Sequence, residues 1–190
     1  MRIVGGHLRG RTIAAPKSVA PKSQAIRPTA DRLREALFNI LVHAYGYPIS
    51  GARVLDLFAG TGALGLEALS RGCAFALFVD DGAEARALLR ENVAALGLGG
   101  VTRIFRRDAT KLGAAHPLEP FSLAFLDPPY GRGLAEQALI SARAGGWFSS
   151  DALIVVEEAA KADFAAPAGF DEVERRVYDD TVLAVLRSAT

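Results

Sequence analysis

The tetrapeptide Asp127-Pro128-Pro129-Tyr130 contains the residue types of this chain that are best suited to chemistry. Its prolines fix two φ angles, so the Asp127 carboxylate and the Pro128 carbonyl oxygen are held as paired hydrogen-bond acceptors. Such acceptors can bind both N–H groups of a planar exocyclic amine and favour the pyramidal nitrogen whose lone pair can attack. Tyr130 adds a flat face on which a base can stack. These four residues are therefore the predicted catalytic motif.

A glycine turn upstream of this motif, Phe58 to Gly62, has the features expected of a nucleoside pocket. It follows an apolar run at 54–57, and ligands of open α/β sheets bind beyond the carboxyl ends of the strands. Its glycines allow the backbone to turn sharply and to lie close to a ligand. Their spacing also matches a dinucleotide fingerprint. The carboxylate of Asp56, however, would repel a diphosphate, whereas it suits the cationic methionine part of S-adenosylmethionine.

Two further acids end the next predicted strands. Asp80 can hold ribose hydroxyls and Asp108 can accept from an adenine amino group, although ordinary capping of strand ends would also explain both carboxylates. The two motifs together predict methyl transfer from S-adenosylmethionine to an exocyclic nitrogen. The predicted cofactor-binding residues are Asp56, Phe58, Ala59, Gly60, Gly62, Asp80, Asp108 and Ala109.

The elements that must position these motifs alternate along the chain. Apolar runs predict strands at 53–58, 75–80, 101–106, 122–126 and 152–157. Patterns of period 3.6 predict helices at 32–45 (with Thr29 as its N-cap), 63–70, 83–96 and 134–144. Two β-rich runs at 172–178 and 181–186 predict a final hairpin. This order predicts an α/β fold with a mostly parallel sheet and a C-terminal antiparallel hairpin, which is typical of methyltransferases and unusual for dehydrogenases.

The composition predicts one compact domain without a membrane span. The chain has 190 residues, of which 51% are hydrophobic and 23% charged, and no apolar run approaches the roughly 20 residues that cross a bilayer. A single cysteine, Cys73, cannot form an internal disulfide, so a cytoplasmic location is expected. The three histidines are scattered, and we predict no metal site.

The charge is distributed unevenly, with a basic stretch at the N-terminus. Residues 1–34 contain eight Lys or Arg and one acid, whereas the rest of the chain contains 14 basic and 20 acidic residues. A basic arm at 1–28 on a catalytic domain at 29–190 is the pattern expected when the arm meets phosphates. Its glycines and prolines favour a shaped loop or hairpin over a mobile terminus, without deciding between them. The predicted RNA contacts are Arg9, Arg11, Lys17, Arg27, Thr29, Arg32 and Arg34.

Four blocks of the sequence resemble the RsmD family of bacterial enzymes, which methylate guanine N2 in 16S ribosomal RNA. The blocks are residues 1–11, 27–41, 56–72 and 127–130, and the similarity extends essentially from end to end. The resemblance implies a seven-stranded class I methyltransferase fold (Rossmann-like), S-adenosylmethionine as cofactor, and 16S rRNA in the small ribosomal subunit, or an assembly intermediate of it, as substrate. It also implies that the block beginning at Arg27 lies over the cofactor or the flipped base. Asp80 stands where relatives often have Glu.

Other functions remain open at this stage. An amino-methyltransferase for another RNA guanine, for DNA adenine or for a glutamine amide would need similar geometry, and a nicotinamide dehydrogenase could use the glycine turn. A non-catalytic RNA-binding assembly factor is the alternative outside enzymes, although the intact catalytic and glycine motifs argue against it. We expect a monomer, because one domain that docks on a large particle needs no second subunit.

Overall fold

The computed structural model describes residues 1–16, 28–46 and 48–189, and of residues 28–30 it describes the backbone. The helices are α1 (Pro28–Ala44), α2 (Ala63–Ser70), α3 (Ala83–Ala95) and α4 (Leu134–Ala144). The strands are β1 (Arg53–Leu57), β2 (Phe75–Val79), β3 (Thr102–Phe105), β4 (Phe121–Leu126), β5 (Phe148–Ala159), β6 (Phe170–Tyr178) and β7 (Thr181–Ser188). The predicted alternation of strands and helices is confirmed.

All seven strands form one sheet in the order β3-β2-β1-β4-β5-β7-β6. Strands β1 to β5 are parallel, β7 is antiparallel to β5, and β6 is antiparallel to β7, so the predicted C-terminal hairpin is present. The chain moves outward from β1 to β3 and then returns to place β4 on the other side of β1. The switch point between β1 and β4 is the place where a ligand of such a sheet is expected.

Helices cover both faces of the sheet because alternate strand residues point to opposite sides. Val54 and Phe125 belong to the core shared with α1, α2 and α3, whereas Leu55 and Leu126 belong to the core shared with α4. By the same alternation, Asp56 on β1 belongs to the face that carries α1, α2 and α3. A polar residue on this buried face stands out among the hydrophobic ones.

Residues 1–13 form a hairpin that packs against α2. Ile3 and Ile13 are buried in the core on the face that carries α1, α2 and α3. Gly6 has a φ of 74°, and a Cβ atom there would come within 1.9 Å of the carbonyl oxygen of Ser70, so the close approach requires glycine. The basic residues of this hairpin are therefore carried by packed backbone.

Two predicted boundaries are wrong for identifiable reasons. Helix α1 begins at Pro28, so Thr29 lies in the first turn instead of capping it; proline suits this position because its missing N–H would have no partner there. Strand β5 has 12 residues, four more at its start than predicted. Its extension includes Asp151 at a φ of 61°, and the register with β4 shifts beside it. These irregular polar residues conceal the strand from a periodicity analysis.

In the described ranges, 1–16, 28–46 and 48–189, no helix is long and apolar enough to cross a membrane.

Candidate active site

Three adjoining cavities follow the carboxyl ends of the strands, and Phe58 lines all of them. The first cavity, of about 180 Å³, contains Asp56, Gly60 and Asp127; the second, of about 430 Å³, contains the Asp127-to-Tyr130 motif; the third, of about 280 Å³, contains Asp108. Phe58 has a φ of 59°, a left-handed conformation that costs a non-glycine residue roughly 1–2 kcal/mol. The fold thus places a strained aromatic residue at the centre of the predicted site.

The two glycines of the turn have different roles. Gly60 has a φ of 55° and lines the first cavity, and a Cβ atom there would meet nothing closer than 3.9 Å. Gly62 has a φ of 80°, and its Cβ atom would lie 2.3 Å from a methyl carbon of Leu89 on α3. Gly62 is also absent from the described lining of the first cavity. The packing of the turn against α3 therefore requires a glycine at position 62, whereas Gly60 faces the space that a ligand would fill.

Asp56 is a buried carboxyl group at the first cavity. Its Oδ2 accepts a hydrogen bond of 2.9 Å from the amide of Gly65, which holds α2 against β1. Burial raises the pKa of Asp56 to about 8; the Gly65 hydrogen bond opposes this rise and the charge of Asp80 adds to it. A ligand with a positive charge in the first cavity would therefore be attracted to this carboxylate and would favour its ionised form.

Asp80 fastens the glycine turn to the loop after β2. Its Oδ2 accepts from the amide of Gly60 and its Oδ1 from the amide of Gly82, each at 2.8 Å. A carboxylate oxygen has a second acceptor position, so these bonds leave capacity for ribose hydroxyls. Asp81, which the sequence analysis did not select, is exposed and lines the second and third cavities beside Asp80.

Asp108 and Ala109 lie at the far end, in the third cavity. Asp108 Oδ1 accepts from the amide and the hydroxyl of Thr110, at 2.8 and 2.7 Å, and caps a short 3₁₀ turn. The side-chain bond from Thr110, followed by its backbone bond, lowers the pKa of Asp108. Asp108 thus acts as a cap after β3, as one interpretation of the sequence predicted, and it also lines the third cavity. Ala109 is buried beside it.

The catalytic motif lies between these two ends. Asp127 is open to the cleft, yet protein surrounds its carboxyl group; this desolvation, and then the charges of Glu157, Asp56 and Glu158, raise the pKa of Asp127 well above its ordinary value. Tyr130 is 42% exposed, and its hydroxyl donates to Glu157 Oε1 at 2.6 Å. Burial and the neighbouring Glu157 raise the pKa of Tyr130, so the phenol stays protonated and donates.

Glu157 and Glu158 on β5 are functional candidates that the sequence analysis missed. Glu157 lines the first cavity with Asp127, and Glu158 Oε1 accepts from the amides of Gly131 and Ala159 at 2.9 and 2.8 Å. These bonds fasten the backbone that follows Tyr130. The sequence did contain a signal, because the predicted strand 152–157 ends at Glu157 and a second acid, Glu158, follows it. Only the pairing of that strand with β4 shows that these acids reach the catalytic motif.

The predicted RNA contacts do not form one surface. Arg9 and Arg32 are exposed and line a cavity of about 400 Å³ together with Arg2, which was not predicted; we call these three residues the basic patch. Arg11 is exposed elsewhere, and its guanidinium donates at 2.9 Å to the carbonyl oxygen of Ala95, the last residue of α3. Lys17, Arg27 and the side chain of Thr29 lie outside the described residues.

Arg34 is buried, with 5% of its surface exposed, and does not belong to the basic patch. Its guanidinium donates to the Arg2 carbonyl oxygen at 2.6 Å and to Asp31 Oδ1 at 2.8 Å, and lies 3.5 Å from Glu67 Oε2. It also lines the first cavity. A phosphate contact requires an accessible guanidinium, so we leave Arg34 out of the proposed RNA surface.

The part of the chain that the structure describes contains no group of three or more His, Cys, Asp or Glu residues arranged to hold a metal ion. Cys73 is buried, and burial raises the pKa of its thiol to about 12, so the reactive thiolate is strongly disfavoured.

The chain is similar to known proteins over most of its length. Residues 1–187 match the family described as Conserved hypothetical protein 95. The chain is 41% identical over 157 residues to ribosomal RNA small subunit methyltransferase D of Escherichia coli K12, covering 83% of this chain and 74% of that protein. The protein of the same name from Haemophilus influenzae is 34% identical over 159 residues, 83% of this chain and 78% of the relative.

A solved structure of a similar protein has the same fold as this chain. The yhhF protein of Escherichia coli superposes with a TM-score of 0.81 at 32% sequence identity, covering all of this chain and 98% of that one. The seven-stranded class I methyltransferase fold and the resemblance drawn from the four sequence blocks are both confirmed.

Proposed function

We propose that the chain transfers a methyl group to guanine N2 of 16S rRNA. It belongs to the Conserved hypothetical protein 95 family and is similar to ribosomal RNA small subunit methyltransferases. The methyl donor is S-adenosylmethionine, and the substrate is the small ribosomal subunit or an assembly intermediate. The protein acts as a monomer in the cytoplasm, where ribosomal subunits are assembled.

A single observation supports this proposal above all. The rigid motif from Asp127 to Tyr130 lies between a cavity that contains the buried acid Asp56 and another that contains Asp108. A site of this kind has a place for a cation at one end, a place for a nucleobase at the other, and paired acceptors with an aromatic ring between them. A dinucleotide would bring a diphosphate to Asp56, whose ionised form would repel it, and the guanidinium of Arg34 that lines this cavity is already paired with Asp31 and Glu67.

The residues present fit S-adenosylmethionine. Asp56 faces the first cavity and forms no ion pair with the residues that the structure describes, and burial raises its pKa to about 8, so a ligand ammonium would satisfy it. Asp80 and Asp81 would hold the ribose hydroxyls, and Asp108 with Ala109 the adenine ring, since all four residues line the third cavity. Gly60 and Phe58 form the wall that joins these ends. When bound, the cofactor supplies a methyl group on a positively charged sulfur.

The catalytic motif then acts on the base. Asp127 and the Pro128 carbonyl oxygen accept the two N–H groups of guanine N2, which frees its lone pair to form the bond to the methyl carbon. The cofactor would give up its methyl group and keep the electron pair of the carbon–sulfur bond, and the alkylated nitrogen would lose its proton to solvent water. Asp127 therefore positions the amine and need not be a strong base. Tyr130 holds the extruded base by stacking.

The basic patch is the proposed contact with RNA phosphates. Arg2, Arg9 and Arg32 lie together beside Asp31 and Glu35; the side chain of Arg2 is 70% exposed and lies 3.7 Å from the Asp31 carboxylate. Single-stranded RNA loops expose unstacked bases, so a backbone bound here allows one base to reach the cleft at little unstacking cost.

Transfer of radiolabelled methyl groups from S-adenosylmethionine to unmodified small ribosomal subunits tests this function, with naked 16S RNA and DNA assayed in parallel. Label recovered as N2-methylguanine at one position of 16S RNA is the expected result. Label in DNA or in another base would refute the substrate, and binding of cofactor and RNA without any transfer would favour a non-catalytic assembly factor.

A further inference from the structure

Glu157 is an ionisable group of the first cavity to which the proposed reaction gives no role. The register of β4 with β5 pairs Leu126 with Val156, so Asp127, directly after β4, lies beside Glu157 on β5. Such strands are about 4.8 Å apart. Strand alternation places both carboxylates on the sheet face opposite the α4 core, and both line the first cavity.

The contacts of Glu157 orient its carboxylate but do not neutralise it. Tyr130 donates its hydroxyl to Oε1 at 2.6 Å, and this bond ties the carboxylate to the ring on which the base is to stack. Burial raises the pKa of Glu157, while the Tyr130 hydrogen bond and the charge of Arg34 oppose the rise. The Tyr130 bond uses Oε1 only, so Oε2 has acceptor capacity left for a ligand donor.

Guanine supplies such a donor. Its Watson–Crick edge carries two N–H groups at N2 and one at N1, side by side. When Asp127 and the Pro128 carbonyl oxygen hold N2, the N1–H lies next to them, on the edge that a carboxylate beside Asp127 can reach. Adenine has an unprotonated N1, whose lone pair would face the carboxylate and be repelled.

We propose that Glu157 accepts the N1–H of the target guanine and thereby selects guanine over purines without a proton at N1. The inference rests on the proposed function and names a specificity-determining residue of the same site. It explains how a motif that suits any planar amine becomes restricted to one base. A site built to bind a donor rejects an analogue that lacks it, because its own acceptor is then left unsatisfied.

The test uses 2-aminopurine, which has the 2-amino group of guanine but no proton at N1. Small subunits are assembled from 16S RNA that carries either guanine or 2-aminopurine at the mapped position, and kcat/KM is measured on both. Each variant is compared with itself on the two substrates, so changes in cofactor affinity cancel in the ratio. The intrinsic reactivity of the two amines is the same for every variant.

We expect Glu157→Ala to lower the guanine-to-2-aminopurine ratio about 10- to 100-fold relative to the unchanged protein, as the loss of one buried donor–acceptor pair implies. Glu157→Leu fills the space without an acceptor and is expected to do the same, so a folding defect of the alanine variant does not end the test. The control Asp151→Ala, which removes an exposed acid paired with Arg187, keeps the ratio.

Tyr130→Phe separates this role from a purely structural one. It removes the hydroxyl bond to Glu157 and leaves the carboxylate, so the ratio should fall by less than about threefold. An unchanged ratio in both Glu157 variants would overturn the inference, as would a fall in Tyr130→Phe equal to that of Glu157→Ala. Failure of the unchanged protein to methylate guanine at all would instead refute the proposed function.

Discussion

Asp56, Asp127 and Glu157 concentrate three carboxyl groups at one end of the sheet, and this concentration defines the site at the scale of single residues. In each case desolvation is the first cause of a raised pKa, and neighbouring acids raise the pKa of Asp56 and Asp127 further. A globular protein gains no stability from such an arrangement. It becomes favourable when a ligand cation and the N–H groups of a base occupy the cleft, so its cost in the free protein is consistent with binding.

Asp56→Asn is expected to stabilise the free protein while weakening cofactor binding. The pKa of Asp56 is about 8 in the fold against 3.8 for an ordinary Asp, so the fold holds the proton more tightly and loses stability as pH rises from about 4 to about 8. Asparagine has no such proton. At pH 8 the variant should therefore be more stable by about 2–4 kcal/mol in urea unfolding.

The same variant should bind S-adenosylmethionine at least about tenfold more weakly in calorimetry, because the ligand ammonium loses its counter-charge. Equal cofactor affinity in Asp56→Asn and in the unchanged protein would show that Asp56 serves only the packing of α2.

Asp127→Ala is expected to lower kcat for methyl transfer by about 100- to 1000-fold, because it removes an acceptor that aligns the attacking nitrogen. Cofactor affinity should change by less than about threefold, since Asp127 is assigned to the base. Single-turnover transfer and calorimetry measure the two effects separately, and Asp151→Ala serves as the control. A weaker cofactor affinity with an unchanged kcat would contradict this assignment.

At the scale of elements, the site depends on how neighbouring strands end and how the turn after β1 is packed. Gly62 lets the turn approach α3, and Gly65 lets α2 approach β2, where a Cβ atom would lie 2.4 Å from the ring of Phe78. Asp80 then binds the turn to the loop after β2. The cavity wall is thus held by packing on one side and by a carboxylate on the other.

Gly62→Ala and Gly60→Ala form a matched pair that tests this division. Both glycines have positive φ, so each substitution costs roughly 1 kcal/mol of backbone strain. Only Gly62→Ala adds a clash, with Leu89 at 2.3 Å, and should lose about 2–4 kcal/mol in all on denaturant unfolding. Gly60→Ala should lose about 1 kcal/mol and chiefly weaken cofactor binding. Equal losses of stability would mean that α3 yields to the new methyl group.

At the scale of the whole molecule, acids outnumber arginines in the cleft and arginines outnumber acids at the basic patch. The cleft carries six acids beside Arg34 and Arg107, whereas the basic patch of Arg2, Arg9 and Arg32, on the hairpin and α1, has Asp31 and Glu35 next to it. An RNA backbone is attracted to the patch and repelled by the cleft, so the fold favours entry of a single base over entry of the strand. The amides of Val4, His7 and Leu8 bind α2 at Glu67 and Ser70, and Ile3 and Ile13 are buried in the core, so the hairpin that carries Arg2 and Arg9 is packed against the domain.

Arg9→Ala combined with Arg32→Ala is expected to weaken RNA binding and to reduce the dependence of log Kd on log salt by about 1 to 2, since each phosphate that is no longer neutralised lowers the slope by about 1. Cofactor affinity should stay the same. Arg11→Ala is the matched control, because Arg11 is exposed but lies against the end of α3. A salt dependence that does not change in the double variant, or that changes equally in Arg11→Ala, would exclude the basic patch as the RNA surface.

The fold and the proposed chemistry of this protein were largely predictable from its sequence, because the motifs assigned to them are local. A proline-stiffened tetrapeptide and a glycine turn keep their geometry wherever they occur, and periodic hydrophobicity placed them at strand ends. The elements, the sheet type and the candidate acids Asp56, Asp80, Asp108 and Asp127 followed from these patterns.

What only the tertiary structure decided is which distant residues meet. Glu157 becomes a candidate because β5 pairs with β4, and its distance from Asp127 along the chain hides this proximity. Gly62 and Gly60 have the same residue type and sign of φ, yet only the position of α3 shows that one packs and the other faces a ligand. Arg9, Arg11 and Arg34 are equivalent as charges in a sequence; burial and partners divide them, and both arise from packing that no local pattern encodes.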